Sequence, residues 1–308
     1  MIPRGLSETI DLSKIKLQKL SDPLFNKKGI SMDILRTDLI HPVISGNKWF
    51  KLKYHLQDAK QNGKTGIISF GGAFSNHLLA ITCACAIEGL NSVGIIRGEE
   101  PAIYSPTLLQ LQEWGMELHF VSRNDYRNKT ALQEKLSDQF SQYYWVNEGG
   151  QGPLGIKGAA EMLQLVTASD YSHIACAVGT GTMMAGLMNA ALPHQRVVGV
   201  SALKIPDQQE NELLSFLTEN SSHNSFEILY DYHEGGYAQK TESLIRFMND
   251  FYRHHSIPSD FVYTAKLFNA IMKQTEAGYF PPGSKILVIH SGGLQGNQSL
   301  PAGSLLFI

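Results

Sequence analysis

Along the chain, short runs of apolar and often β-branched residues alternate with longer stretches whose apolar positions recur at helical spacing. The runs are GIISF (66–70), SVGIIR (92–97), MELHFV (116–121), YYWV (143–146), HIACAV (173–178), RVVGVS (196–201) and KILVIH (285–290). Between them lie segments such as 75–88, 106–114, 153–166 and 240–254, long enough and periodic enough for helices. Continuously apolar strands are what burial on both faces demands. The pattern therefore predicts an α/β fold with open, mostly parallel sheets flanked by helices. Two breaks interrupt it. The strand-like opening MDILRTDLIHPV (32–43) gives way to a first helix near Lys51, and NEGGQGPLGIKG (147–158) is the best hinge candidate. If both are boundaries, residues 52–155 form a small domain inserted into a larger one built from 1–51 and 156–308. No repeats, low-complexity tracts or Pro/Ser-rich linkers intervene, so compact connections would cross between the two.

Composition narrows the partners. With 308 residues, 43% hydrophobic and 18% charged, the chain can fill a sizeable core, and a formal charge of -2 leaves no basic face for nucleic acid or an acidic membrane. A small molecule is the default partner. No apolar run reaches bilayer-spanning length, and the first residues lack the apolar core and cleavage site of a secretory signal, which predicts a cytoplasmic protein. Cys83 and Cys85 diverge on a helical segment and Cys176 sits in an apolar strand, so all three read as buried, reduced thiols. Eleven histidines include no His-Glu-x-x-His, and the isolated pair in HIAC lacks partners at ligand spacing, so no metal is expected.

Candidate chemistry lies at three glycine-rich turns and one early lysine. In SFGGAFSNHLLA a strand ends at Phe70, two glycines turn the chain, and Ser75 and Asn76 open an apolar helix. Its unpaired N–H groups and dipole suit a carboxylate or phosphate, although Ser75 could equally be an N-cap. In CAVGTGTMMAGL a strand runs into Gly179, Thr180, Gly181 and Thr182 and then a helix, the form of a phosphate cradle or of an ordinary tight turn. A Walker loop would need Gly-Lys-Ser/Thr where Ala185, Gly186 and Leu187 stand. A dinucleotide fingerprint would need glycine at Met184 and an acidic residue where the next strand ends in Ser201 and Ala202. A cradle for a single phosphate remains. In KILVIHSGG a third strand delivers His290 and Ser291 to a Gly-Gly turn. The lysine is Lys48 in ISGNKWFKLKYHL, with Lys51 and Lys53 behind it; a solvated helix start is the plain alternative for such a run. One ligand with a phosphate, a reactive carbonyl and polar ring atoms would account for all four features, and pyridoxal 5'-phosphate meets that description.

In this order, GNK, GGAFSNH, VGTGT, VYTAK and HSGG resemble the tryptophan-synthase-β-like, fold type II enzymes. Within them they resemble the group of 1-aminocyclopropane-1-carboxylate deaminase and D-cysteine desulfhydrase. The resemblance extends from about Gly46 to Gly293. It implies that Lys48 carries the cofactor as a Schiff base, which a poorly solvated amine favours, and that Lys51 faces the phosphate. It further implies that Asn76 hydrogen-bonds the pyridine 3-hydroxyl, that Ser75 and His77 lie by the substrate carboxylate, and that 179–182 form the phosphate loop. Tyr237, in HEGGYAQK, and Tyr263, in VYTAK, match the family's active-site tyrosines. A homodimer is also what the family suggests.

The same resemblance bears on the reaction. Deaminases of the group carry a glutamate directly after the second tyrosine, near the pyridine nitrogen. This chain has Thr264, as desulfhydrase-like members do. A neutral hydroxyl from Thr264 or Ser291 would leave that nitrogen unprotonated and the electron sink weaker, so α,β-elimination on D-cysteine is expected ahead of cyclopropane opening. Ser45, Phe50 and Leu79–Ile81 depart from the relatives' usual residues, leaving diaminopropionate, cysteate or O-acylated serine as other substrates. A non-catalytic binding protein is the alternative from another class, and retention of Lys48, Ser75, Asn76 and Thr182 argues against it.

Overall fold

A computed structural model describes residues 9–223 and 225–307. Residues 1–8, on which part of the reading of the N-terminus rests, lie outside that description. The strands are β1 (Leu17–Lys19), β2 (Ser31–Leu35), β3 (Gly66–Gly71), β4 (Asn91–Arg97), β5 (Met116–Val121), β6 (Tyr143–Val146), β7 (His173–Val178), β8 (Arg196–Ser201), β9 (Phe226–Leu229) and β10 (Lys285–Ile289). The α-helices are α1 (Pro23–Lys28), α2 (Asn47–Gln61), α3 (Asn76–Glu88), α4 (Pro106–Glu113), α5 (Lys129–Leu136), α6 (Pro153–Ala160), α7 (Thr182–Ala190), α8 (Asp207–Asn220), α9 (Glu242–His255) and α10 (Thr264–Ala277).

Two sheets result, one of six strands in the order β1-β2-β10-β7-β8-β9 and one of four in the order β5-β4-β3-β6. Among the strand pairs of the described residues, only β1–β2 is antiparallel. The parallel strands are apolar on both faces because helices cover both. In the large sheet Ile174, Cys176, Leu287 and Ile289 face Ile156 of α6 and Leu187 of α7, while Ala175, Ala177, Ile286 and Val288 face Phe251 of α9 and Phe268 of α10. The small sheet repeats the arrangement. Ile67 and Val146 pack on Leu52 of α2 and Leu78 of α3, and Ile68 and Phe70 pack toward Leu132 of α5.

Helix α3 is apolar nearly all round because it is buried from Asn76 to Cys85. Ser75 caps it, its Oγ accepting the Leu78 N–H at 3.2 Å, and Gly89 ends it in the left-handed region. The strand-like segment 32–43 splits into β2 and a 3-10 turn, Thr37–Ile40, and the helical segment 153–166 into α6 and a 3-10 turn, Glu161–Leu165. Helices α2 and α6 run through the two breaks read from the sequence and pack closely. A Cβ at Gly158 would stand 1.7 Å from the Phe50 carbonyl oxygen. The glycine-rich run that reads as a hinge thus ends in a helix contact that only glycine permits. All three cysteines are buried thiols.

Candidate active site

The C-terminal ends of β3, β7 and β10 open onto one cavity of about 630 Å³, where parallel α/β sheets characteristically hold ligands. Its first wall is the start of α2. Gly46 adopts φ 57°, and a Cβ there would lie 2.1 Å from the Ser291 carbonyl oxygen, which instead accepts the Asn47 N–H at 3.2 Å. This contact aims Lys48 into the cavity. The Lys48 Nζ is 3.0 Å from Asn47 Oδ1 and 5.9 Å from the centroid of the Tyr263 ring. Burial lowers its pKa to about 8, opposed by the nearby Asp260 carboxylate. Lys51, one turn on, is pushed down to about 7, first by burial and then by the Lys48 charge. Cys176 adjoins it as a neutral thiol, raised by burial to about 12.

The second wall is the N-terminus of α3, where Ser75, Asn76 and His77 all line the cavity. His77 Nε2 is 3.0 Å from Ser69 Oγ, and the ring is buried. Burial, then the charges of Lys48 and Lys51, hold this imidazole well below the ordinary histidine pKa, so it is neutral. The third wall is the loop before α7. Gly179, Thr180 and Gly181 line the cavity; Thr182 does not, being fully buried with its hydroxyl 3.0 Å from that of Thr180.

Tyr263, at the N-cap of α10, lies against Gly179, and Tyr237 meets it edge-on with ring centroids 6.2 Å apart. Both line the cavity, and Tyr237 is 44% exposed. Burial first, then neighbouring Tyr237, raises the Tyr263 phenol well above its ordinary pKa. Ser291 also lines the cavity.

Thr264 does not. It is fully buried, its hydroxyl donating to Asp260 Oδ1 at 2.7 Å and accepting the Asp260 N–H at 2.8 Å. The expectation that it faces a pyridine nitrogen gives way to a local cap, because an Asp four residues before a Thr at a helix start satisfies both side chains. Ser291 is the hydroxyl of that pair on the cavity wall.

Sequence reasoning missed two residues. Asp260, which accepts the N–H groups of Val262, Tyr263 and Thr264, fixes Tyr263 and supplies the negative field at Lys48. Its signal was an acidic residue just before a helix start. Arg97 ends β4 and reaches the cavity rim, a position flagged by the rule that strand C-termini face ligands.

The donor set fits pyridoxal phosphate. The Thr180 hydroxyl, the N–H groups opening α7 and the buried Lys51 amine suit a phosphate. An amine of lowered pKa suits the aldehyde, and Asn76 is a polar side chain placed between. Comparison with known proteins agrees. Residues 21–292 match the family described as pyridoxal-phosphate dependent enzyme, so the chain belongs to that family, with the fold type II architecture. Within it, the chain is 30% identical over 302 residues to a Thermotoga maritima protein provisionally named 1-aminocyclopropane-1-carboxylate deaminase, covering 91% of this chain and 93% of that one. It is 26% identical to the Arabidopsis thaliana mitochondrial bifunctional D-cysteine desulfhydrase/1-aminocyclopropane-1-carboxylate deaminase, covering 87% and 73%. A crystal structure of an ACC deaminase homologue superposes with a TM-score of 0.80 at 26% identity, covering 94% of this chain and 92% of that one. The chain is accordingly a pyridoxal-phosphate-dependent enzyme of the 1-aminocyclopropane-1-carboxylate deaminase and D-cysteine desulfhydrase group.

Proposed function

We propose that the chain is a deaminating lyase acting on a small amino acid, with 1-aminocyclopropane-1-carboxylate as its principal substrate and 2-oxobutyrate and ammonia as products. The observation that carries this reading is the Lys48 amine facing the Tyr263 ring at 5.9 Å, beside the carboxylate seat at the start of α3. The names of the relatives support the ring-opening reaction and put it ahead of the D-cysteine reaction expected from Thr264.

When bound, pyridoxal phosphate supplies the sink for the electron pair released as a bond to Cα breaks. The chain's residues do the rest. Ser75 and the N–H groups opening α3 hold the substrate carboxylate. Lys48 Nζ, with a pKa of about 8, holds or takes a proton near neutral pH. The Tyr263 hydroxyl, kept protonated by burial, delivers a proton to the departing carbon, and Tyr237 at its edge fixes its direction. In this reading residues 1–51 and 156–308 form the domain that carries Lys48 and the phosphate loop, and 52–155 the domain that carries Ser75, Asn76 and His77.

A second reading, β-elimination of D-cysteine to pyruvate, ammonia and hydrogen sulfide, is favoured by the neutral Ser291 and the absence of a carboxylate at position 264. One panel separates them: 2-oxobutyrate release from 1-aminocyclopropane-1-carboxylate against pyruvate and sulfide release from both cysteine enantiomers. Ring opening predicts 2-oxobutyrate as the faster product. Pyruvate and sulfide from D-cysteine alone would replace it with the second reading, and silence on all three would remove both. In Lys48→Ala, turnover and the borohydride-reducible bond to the cofactor should both vanish. A bond that persists would move the anchor to Lys51 or another lysine.

A further inference from the structure

Tyr237 sits on a segment of unusual backbone between β9 and α9. Glu234, Gly235, Gly236 and Ala238 all have positive φ, at 53°, 94°, 126° and 54°. Glu234 and Ala238 are side-chain-bearing residues in a region that disfavours them, so the segment keeps this shape only if its surroundings impose it. Buried side-chain contacts impose it at both ends. The Lys266 Nζ, fully buried on α10, donates to the Gly236 carbonyl at 2.7 Å and to the Ala202 carbonyl at 3.0 Å. At the other end of the turn the Glu234 carboxylate accepts from Asn269 Nδ2 at 3.1 Å and from Thr241 Oγ1 at 2.7 Å. Asp260 and Glu234 supply the field that offsets the buried ammonium.

Lys266 does not line the cavity, and a buried cation is an expensive way to fill a core position that methionine would fill. What the cation does is specific. It fixes the carbonyl immediately before Tyr237 to the helix whose N-cap is Tyr263, so one element sets both phenols.

We propose that Lys266 is a positioning residue for Tyr237, clamping the 234–238 turn so that the two tyrosines meet edge-on over the site. The inference rests on the reading of Tyr237 as part of that site, and its test separates the two. Hydrogen exchange over residues 232–240 needs no substrate: Lys266→Met should speed it at least tenfold and leave the β7 and β10 amides as in the wild type. Unchanged exchange in the turn would overturn the clamp. Activity then reads the coupling. Lys266→Met should lower kcat to the level of Tyr237→Phe, and the double variant should be no worse than either, because the lysine acts only through the tyrosine. Multiplied losses would overturn the proposal. Faster exchange with full activity in both single variants would keep the clamp and remove Tyr237 from the site. Should Lys266→Met not fold, Lys266→Gln, polar but too short for both carbonyls, is measured against the same outcomes.

Discussion

Two lysines one helical turn apart are harder to bury than one, and the Lys48–Lys51 pair shows the consequence in its lowered pKa values of about 8 and about 7. In the unfolded chain each amine titrates near its ordinary value of about 10.4. Between the folded and unfolded values the unfolded chain binds the extra proton, so the cost of these lysines to the cofactor-stripped protein shrinks as pH rises from about 7. Lys51→Met should therefore melt above the stripped wild type at pH 7, with the difference narrowing toward pH 9.5; a gap independent of pH would contradict the burial. At this scale the sequence was legible where a residue sits in a local motif, as with the cavity-lining positions of Lys48, Asn76 and Tyr263. It was not where a side chain had two uses. The hydroxyl of Thr264 was open to the cavity on paper, yet the four-residue spacing to Asp260 offered it a nearer partner.

Among the elements, β3 to β8 and β10 were readable because buried parallel strands carry uninterrupted apolar runs. Strand β1, of three residues, is too short to carry a pattern, and Glu227 interrupts the apolar run of β9; each pairs with a single neighbour, β2 or β8. Close approach of helices is likewise invisible without coordinates. The Gly158 contact between α6 and α2 lies at the end of the run that reads as a hinge, at a spot where only glycine fits. Gly158→Ala gains roughly 1 kcal/mol of helix propensity but puts its Cβ 1.7 Å from the Phe50 carbonyl oxygen, which forces the two helices apart. Overpacking of this kind costs about 1–3 kcal/mol, and here the neighbour is a carbonyl that cannot rotate away. The variant should lose stability in urea titration and, because α2 carries Lys48, bind the cofactor more weakly. An unchanged midpoint with full loading would show that the helices adjust freely.

For the molecule as a whole, the cavity draws its walls from strands of both sheets. A ligand held there is bound by the folded chain and lost on unfolding, so pyridoxal phosphate at a hundredfold excess over its Kd should add about 2.7 kcal/mol of stability. Pyridoxal, lacking the phosphate, should add clearly less at the same concentration in a thermal melt, since the 179–182 loop and Lys51 would have nothing to hold. Equal stabilisation by the two would detach the loop from its assigned role. Sheet order and the meeting of β3, β7 and β10 ends were not readable from periodicity, which specifies strands but not neighbours.

The Gly46 contact has a consequence in time. Asn47 is fixed by the carbonyl of Ser291, a residue on a different element far along the sequence. The seat of the neighbouring lysine therefore closes through a contact between residues far apart in sequence, the kind that is slow to form in folding. A chain cut before Ser291 lacks that contact, and its Lys48 should no longer form a borohydride-reducible bond.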